Sequence, residues 1–225
     1  MKLTPEQIKQ IAQTLDNNGL CYIDLELEVT DHIASAIEID ITNKNISFQE
    51  SFCKILENWK DDLQPINGFF WVSPNVTAPK IVMTQWIKRS KKMIFEIILF
   101  TFLILSLFWI VKLNNHEQLI YEHFNAVKQY SCFALFIALL TSYLLVIQTK
   151  VQSTFGYMFK RNFFLVTSQI IIISTSDIRF DHFDFLKITD IVLLFYNIAT
   201  IIFGIKTIEL CLSHFKFISM FSKSS

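Results

Sequence analysis

The chain has 225 residues, of which 52% are hydrophobic, 15% aromatic and 18% charged, with twenty-three phenylalanines. That length holds one ordinary domain or two small ones, and a mean hydropathy of +0.40 with so few charges excludes a disordered chain. The net charge of zero hides an acidic N-terminal part, six lysines against twelve carboxylates over residues 1–87, which argues against nucleic-acid binding.

The first 63 residues read as three amphipathic helices. Thr4, Pro5 and Gln7 form a capping box with proline at the first helical position, and Ile8, Ile11, Ala12 and Leu15 follow at helical spacing. Asn17-Asn18-Gly19 supplies the stop. A second helix is expected from about Tyr22 to Ile39, with Tyr22, Leu25, Val29, Ile33, Ala36 and Ile37 as its apolar stripe. Ser47 and Glu50 form another capping box and open a third, whose apolar face is Phe48, Phe52, Ile55, Leu56, Trp59 and Leu63. Three short helices make a small core, so this domain is expected to lean on a copy of itself, a partner or the membrane.

Residues 64–79, rich in proline, read as a linker. Its Phe69, Phe70 and Trp71 either sit among lipid headgroups or complete the helical core. A helix starting near Pro79 carries Trp86 toward the basic cluster Lys88, Arg89, Lys91 and Lys92. The start of the chain has no apolar stretch behind a basic beginning, so no cleaved signal peptide is expected.

Beyond the cluster the chain becomes membrane-like. Residues 93–111 hold one charge, Glu96, and 131–148 hold none; 191–210 are interrupted only by Lys206 and Glu209. A helix needs roughly 20 residues to cross ~30 Å of hydrocarbon, and these three runs qualify. Between them, 163–176 is short, and a span over 156–175 requires Lys160 and Arg161 to snorkel to the interface. The expected architecture is therefore all-α: a three-helix domain over 1–63, a linker and basic juxtamembrane helix over 64–92, four membrane helices within 93–214, and a tail over 215–225. Lys88, Arg89, Lys91, Lys92, Lys150, Lys160, Arg161, Lys216 and Lys223 fall on one side, against Lys112, Lys128, Arg179 and Lys187 on the other. By the positive-inside rule both termini and the acidic domain are expected in the cytoplasm, in a bacterial inner membrane.

Residues that carry chemistry are sparse. Glycine occurs only at 19, 68, 156 and 204, which leaves no phosphate-cradling loop. The five histidines include no i,i+4 pair, and the four cysteines are widely spaced. No enzymatic activity, cofactor or metal is expected. Loop groups at His116, Glu117, Glu122, His123, Asp181, His182 and Asp184 read as solvated residues ahead of metal ligands. In the spans, Tyr143, Gln169, Asn197 and Thr200 are expected to pair between helices, and Glu96 to pair with Lys92, with Lys206 or with the Lys160–Arg161 pair.

The most distinctive string runs from Tyr22 to Glu38, with Tyr22, Asp24, Glu28, Asp31, His32 and Ile33 in order. In this pattern, with Val29 in place of the usual leucine, and in Ser47–Glu50 after it, the chain resembles the HAAS-type helical module of bacterial membrane proteins over residues 4–63. The resemblance implies a cytoplasmic module attached to transmembrane segments, serving signalling or regulation, and brings no catalytic residues. His32 falls between Val29 and Ala36 and is expected at the core edge, hydrogen-bonded to Glu28 or a neighbouring helix end. A pH-sensing or partner-contact role and a metal site are the alternatives for it.

The expected function is thus a multi-pass membrane protein whose helical module contacts a protein partner or self-associates, with lipids around the spans and no nucleic acid. The alternative is a small oligomeric transporter or channel subunit. The charge asymmetry adds one expectation, weak docking of the acidic domain through Glu26, Asp61 and Asp62 on the basic collar.

Overall fold

The computed structural model describes residues 2–68, 76–113, 117–176 and 188–224, with the backbone alone at 112, 117–122 and 221–224. The described chain is built from helices α1 (Pro5–Asn17), α2 (Ile23–Lys44), α3 (Phe48–Leu63), α4 (Lys80–Leu113), α5 (Glu117–Gln148), α6 (Thr154–Thr175) and α7 (Ile188–Ser224). Strands β1 (Pro65–Asn67) and β2 (Thr77–Pro79) lie between α3 and α4. It divides into two compact units, one of residues 1–90 with 151–154 and one of 91–150 with 155–225.

Local chemistry sets the helix ends of the first unit. Thr4 Oγ1 accepts the Gln7 N–H at 3.3 Å and Gln7 Oε1 accepts the Thr4 N–H at 2.8 Å, so the capping box is complete. At the start of α3 Ser47 Oγ accepts the Glu50 N–H at 3.2 Å, one half of the expected box, without the return bond from the Glu50 side chain. Gly19 stands at φ +84° just beyond α1, where a side chain would be strained. The helix α2 ends later than the stripe implies, at Asn45 in the left-handed conformation.

The unit's core is the i,i+4 ridge Leu25, Val29, Ile33 and Ile37 of α2, packed with Ile11, Leu15, Leu20, Phe52, Ile55 and Leu63. What the three helices lack is supplied by the chain after the linker: Ala78, Val82, Met83 and Trp86 are buried in the same unit. Each large apolar side chain so buried stabilises by about 1.5–3 kcal/mol. The linker itself is an antiparallel hairpin, with Pro65 opposite Pro79 and Asn67 opposite Thr77. Lys80 pairs with Asp61 at its base, which holds the Lys80 ammonium pKa above its ordinary value. Phe69, Phe70 and Trp71 lie outside the described residues.

In the second unit α6 is the central element. Its Phe159, Phe163, Val166, Ile170 and Ile173 are buried with Cys132, Leu139 and Val146 of α5 and Cys211 of α7. A smaller cluster on α7, Leu194, Ile198 and Ile202, packs against Ile97, Ile104, Leu105 and Phe108 of α4. Three helical stretches are long and apolar enough to cross a membrane: Lys80–Val111, His123–Gln148 and Ile188–Met220. The expected four-helix membrane bundle is present as four helices, but α6 is not among those three. Its length matches the expected 156–175, while Lys160, Arg161 and Asn162 dilute its apolar run. A helix packed among neighbours can afford that polarity better than one facing lipid all round.

Candidate functional site

The signature residues of α2 divide into an inner and an outer set. Tyr22 and Asp24 at the helix start are drawn inward. The Tyr22 ring meets Trp86 edge-on, with centroids 5.4 Å apart at 81°, a geometry that aligns a positive ring edge with a negative face. Asp24 is 6% exposed. Its Oδ1 accepts the backbone N–H of Thr154 at 2.8 Å, and its Oδ2 accepts the Thr154 hydroxyl. Arg89 Nη1 stands 3.3 Å from Asp24 Oδ2 and donates to the same hydroxyl.

The backbone reciprocates. The first residue of α2, Ile23, donates its N–H to Gln152 O at 3.0 Å, and Thr154 is the first residue of α6. The first N–H of α2 and the first N–H of α6 thus both find acceptors, Gln152 O and Asp24 Oδ1. A carboxylate in the first turn of α2 that also accepts from the first N–H of α6 sits near the positive ends of two helix dipoles. With Arg89 this explains how a charge tolerates burial that would otherwise be costly. Asp24 thus commits both carboxylate oxygens to Thr154 and Arg89, and the cluster ties residue 154 to the start of α2.

Glu28, Asp31 and His32 are exposed and make no hydrogen bond or ion pair among the described residues. The expected core-edge position of His32 is therefore corrected. The buried ridge steps by four through Leu25, Val29, Ile33 and Ile37, and Ala36 is only half-buried, so His32 lies outside the stripe. Leu27 and Ile39, 40% and 59% exposed, share this outward face with it and with Ser35.

The basic cluster also divides. Arg89 is committed to Asp24, Lys88 is exposed, and Lys91 and Lys92 are exposed one turn before Glu96. Within the first unit Asp61 pairs with Lys80, and the residue that meets Arg89 is Asp24. Glu26 is half-buried, and burial, then the Asp16 charge, pushes its carboxyl above the ordinary 4.5.

Within the second unit Lys206 Nζ lies 2.9 Å from Glu96 Oε2 and 2.9 Å from Glu209 Oε2, with Lys92 at 3.9 Å from Glu96. Of the partners expected for Glu96, Lys206 is the close one. Lys160 is exposed, and Arg161 Nε donates to Asn162 Oδ1 at 3.3 Å. Asn197 is fully buried; its amide donates to Leu193 O at 2.8 Å, but its Oδ1 has no partner among the described residues. The packing of three residues escaped the sequence reading. Lys128 is 1% exposed and donates to Ser176 O just past the end of α6, where a cation suits the helix dipole. His214 is buried with Nε2 3.0 Å from Thr149 Oγ1, and Gly156 faces its ring.

No group of three metal-ligating side chains occurs among the described residues. His116, Asp181, His182 and Asp184 lie outside them, as do the side chains of Glu117 and Glu122. No family model matches the chain, and no curated protein or solved structure matches it.

Proposed function

We propose that the chain is a multi-pass protein of a bacterial inner membrane, and that residues 1–90 form a cytoplasmic helical module contacting a protein partner in signalling or regulation. One observation carries this reading: α2 buries one ridge in a closed core while Leu27, Glu28, Asp31, His32, Ser35 and Ile39 face outward with no partner among the described residues. Leu27 and Ile39, exposed beside Glu28, Asp31 and His32, leave that face open to a partner. The resemblance of residues 4–63 to HAAS-type modules points the same way. So does the chain's apolar second part, with three helices fit to cross a membrane.

In this reading α6 is the fourth crossing, with Lys160 and Arg161 at its inner end, and both termini are cytoplasmic, the side to which lysine and arginine beside the spans are biased. A photo-reactive residue replacing His32 or Ile39 in the full chain, in cells, should give a discrete protein adduct that the same residue at Gln13 does not give. Equal labelling from all three positions sinks the module reading. Thiol reagents unable to cross the membrane should miss exposed Cys21 and Cys53 in intact cells.

The unpartnered Oδ1 of buried Asn197 favours a second reading, a small oligomeric transporter. Solute flux in proteoliposomes that disappears in Asn197→Leu would put it first.

A further inference from the structure

Residues 151–154 belong to the first unit although the chain on either side of them belongs to the second. Little apolar burial holds this strap in place: Ser153 and Thr154 are buried but polar, Gln152 is exposed and Val151 half-buried. Its fastening is polar and converges on the start of α2. Ile23 N–H reaches Gln152 O at 3.0 Å, and Asp24 takes both the N–H and the hydroxyl of Thr154. Arg89 completes the pairing from α4.

We propose that Asp24 is a latch. With its carboxylate on Thr154 and Arg89, the strap, and with it the first residue of α6, is held to α2; with it withdrawn, the strap leaves α2 while the α1–α3 core stays closed. The physics makes the latch two-state. A buried carboxylate that loses one of its partners keeps its desolvation cost without compensation, so half-released arrangements are disfavoured and the contacts open together. The core of the unit, built on the ridge Leu25, Val29, Ile33 and Ile37 and completed by Val82, Met83 and Trp86, takes no fully buried apolar side chain from residues 151–154. The latch stands on this geometry alone. Its use as the point where a signal leaves the module rests on the function proposed above, and the two fail separately: a chain without a partner still has the latch.

The native Cys21 reads it directly, since its Sγ lies 3.9 Å from Gln152 Oε1. In the full chain in nanodiscs, with Cys53→Ser to remove the other exposed thiol, Gln152→Cys should form a disulfide with Cys21 under mild oxidant. Asp24→Ala should slow that step by about tenfold or more, the reading of one lost buried charge-assisted bond. Asp24→Asn, which keeps an acceptor for the Thr154 N–H and loses the ion pair, should fall between. Amide exchange in α3 should stay as in the parent chain. Absence of the cross-link with Asp24 intact, or equal rates with and without the carboxylate, overturns the latch. So does α3 exchange accelerating together with that of 151–154, which would make Asp24 a general support of folding. If Asp24→Ala does not fold, Asp24→Asn and Thr154→Val carry the comparison, and parent-like rates in both overturn it equally.

Discussion

The carboxylate of Asp24 accepts the backbone N–H of Thr154 at 2.8 Å, across 130 residues of sequence, and shares that residue's hydroxyl with Arg89. Removing one member of a buried charge pair costs about 3–5 kcal/mol, because the other charge stays behind without compensation. With Arg89 partly exposed at 24% of its side chain, the lower end applies. Asp24→Ala is expected to weaken the hold of residues 151–154 on α2 by ~3 kcal/mol, read as faster amide exchange in that segment with exchange in α3 unchanged. His32→Ala, at an exposed position without partners, should stay within ~0.5 kcal/mol of the parent. A His32→Ala chain that loses about 1 kcal/mol or more, the cost of a lost buried polar contact, would return His32 to the core edge.

These two residues also mark what local pattern reveals and what it does not. The capping box at Thr4, the Ser47 cap and the stop at Gly19 are dictated by neighbours three or four positions away, and each is found in place. Helical period separates the two faces of α2 but leaves a width to choose, and a stripe drawn wide enough to include Ala36 took His32 with it. Asp24 stood in the signature with no partner assigned, since Arg89 and Thr154 are brought to it by folding at long range. The hairpin stayed hidden for a different reason: strands of three residues, one beginning and the other ending on proline, are too short to show alternation. In the membrane part the apolar runs of α4, α5 and α7 were plain. The burial of Lys128 and His214 was not, because a lone polar residue near a helix end reads alike whether it caps a neighbour or faces water.

Glu26 makes the first unit's stability depend on pH in a particular direction. Its carboxyl is raised above the ordinary 4.5 by burial and by Asp16, so the folded chain holds that proton more tightly than the unfolded one. The resulting penalty is absent below the unfolded value, grows as pH rises toward the folded value, and is full above it. Glu26→Gln should therefore raise the melting temperature at pH 7 and lose the advantage below pH 4.5. An equal gain at both pH values would mean that the substitution acts through packing.

The pairs around Lys206 should be unequal. Lys206 is 16% exposed in its side chain and Glu96 28%, while Glu209 is 53% exposed. Solvent screens the outer pair, worth about 0–1 kcal/mol; the inner one joins α4 to α7 in a drier setting. Glu209→Ala is expected to be nearly silent in detergent melts, and Lys206→Ala to cost about 2 kcal/mol by stranding Glu96. Combining Lys206→Ala with Glu96→Ala should cost less than the sum of the single changes, since both charges leave together. Strict additivity would show that the 2.9 Å contact carries no coupling.

Gly156 leaves room for His214. A Cβ at position 156 would stand 2.9 Å from His214 Nδ1 and 3.1 Å from Cε1, inside van der Waals contact. The ring has nowhere easy to go: it is 1% exposed and tied through Nε2 to Thr149 Oγ1 at 3.0 Å. Two effects oppose each other in Gly156→Ala. Alanine gains up to ~1 kcal/mol of helix propensity over glycine, and overpacking a closed site costs about 1–3 kcal/mol. With a ring held by a hydrogen bond the steric cost wins, and a net loss of roughly 1–2 kcal/mol is expected. In a His214→Ala background the obstacle is gone, so the same glycine substitution should become neutral or stabilising by up to ~1 kcal/mol. Melting the four chains of this cycle decides the matter. A Gly156→Ala change that stabilises both backgrounds equally would mean that the imidazole moves aside freely, and that the contact between α6 and α7 at this point is loose.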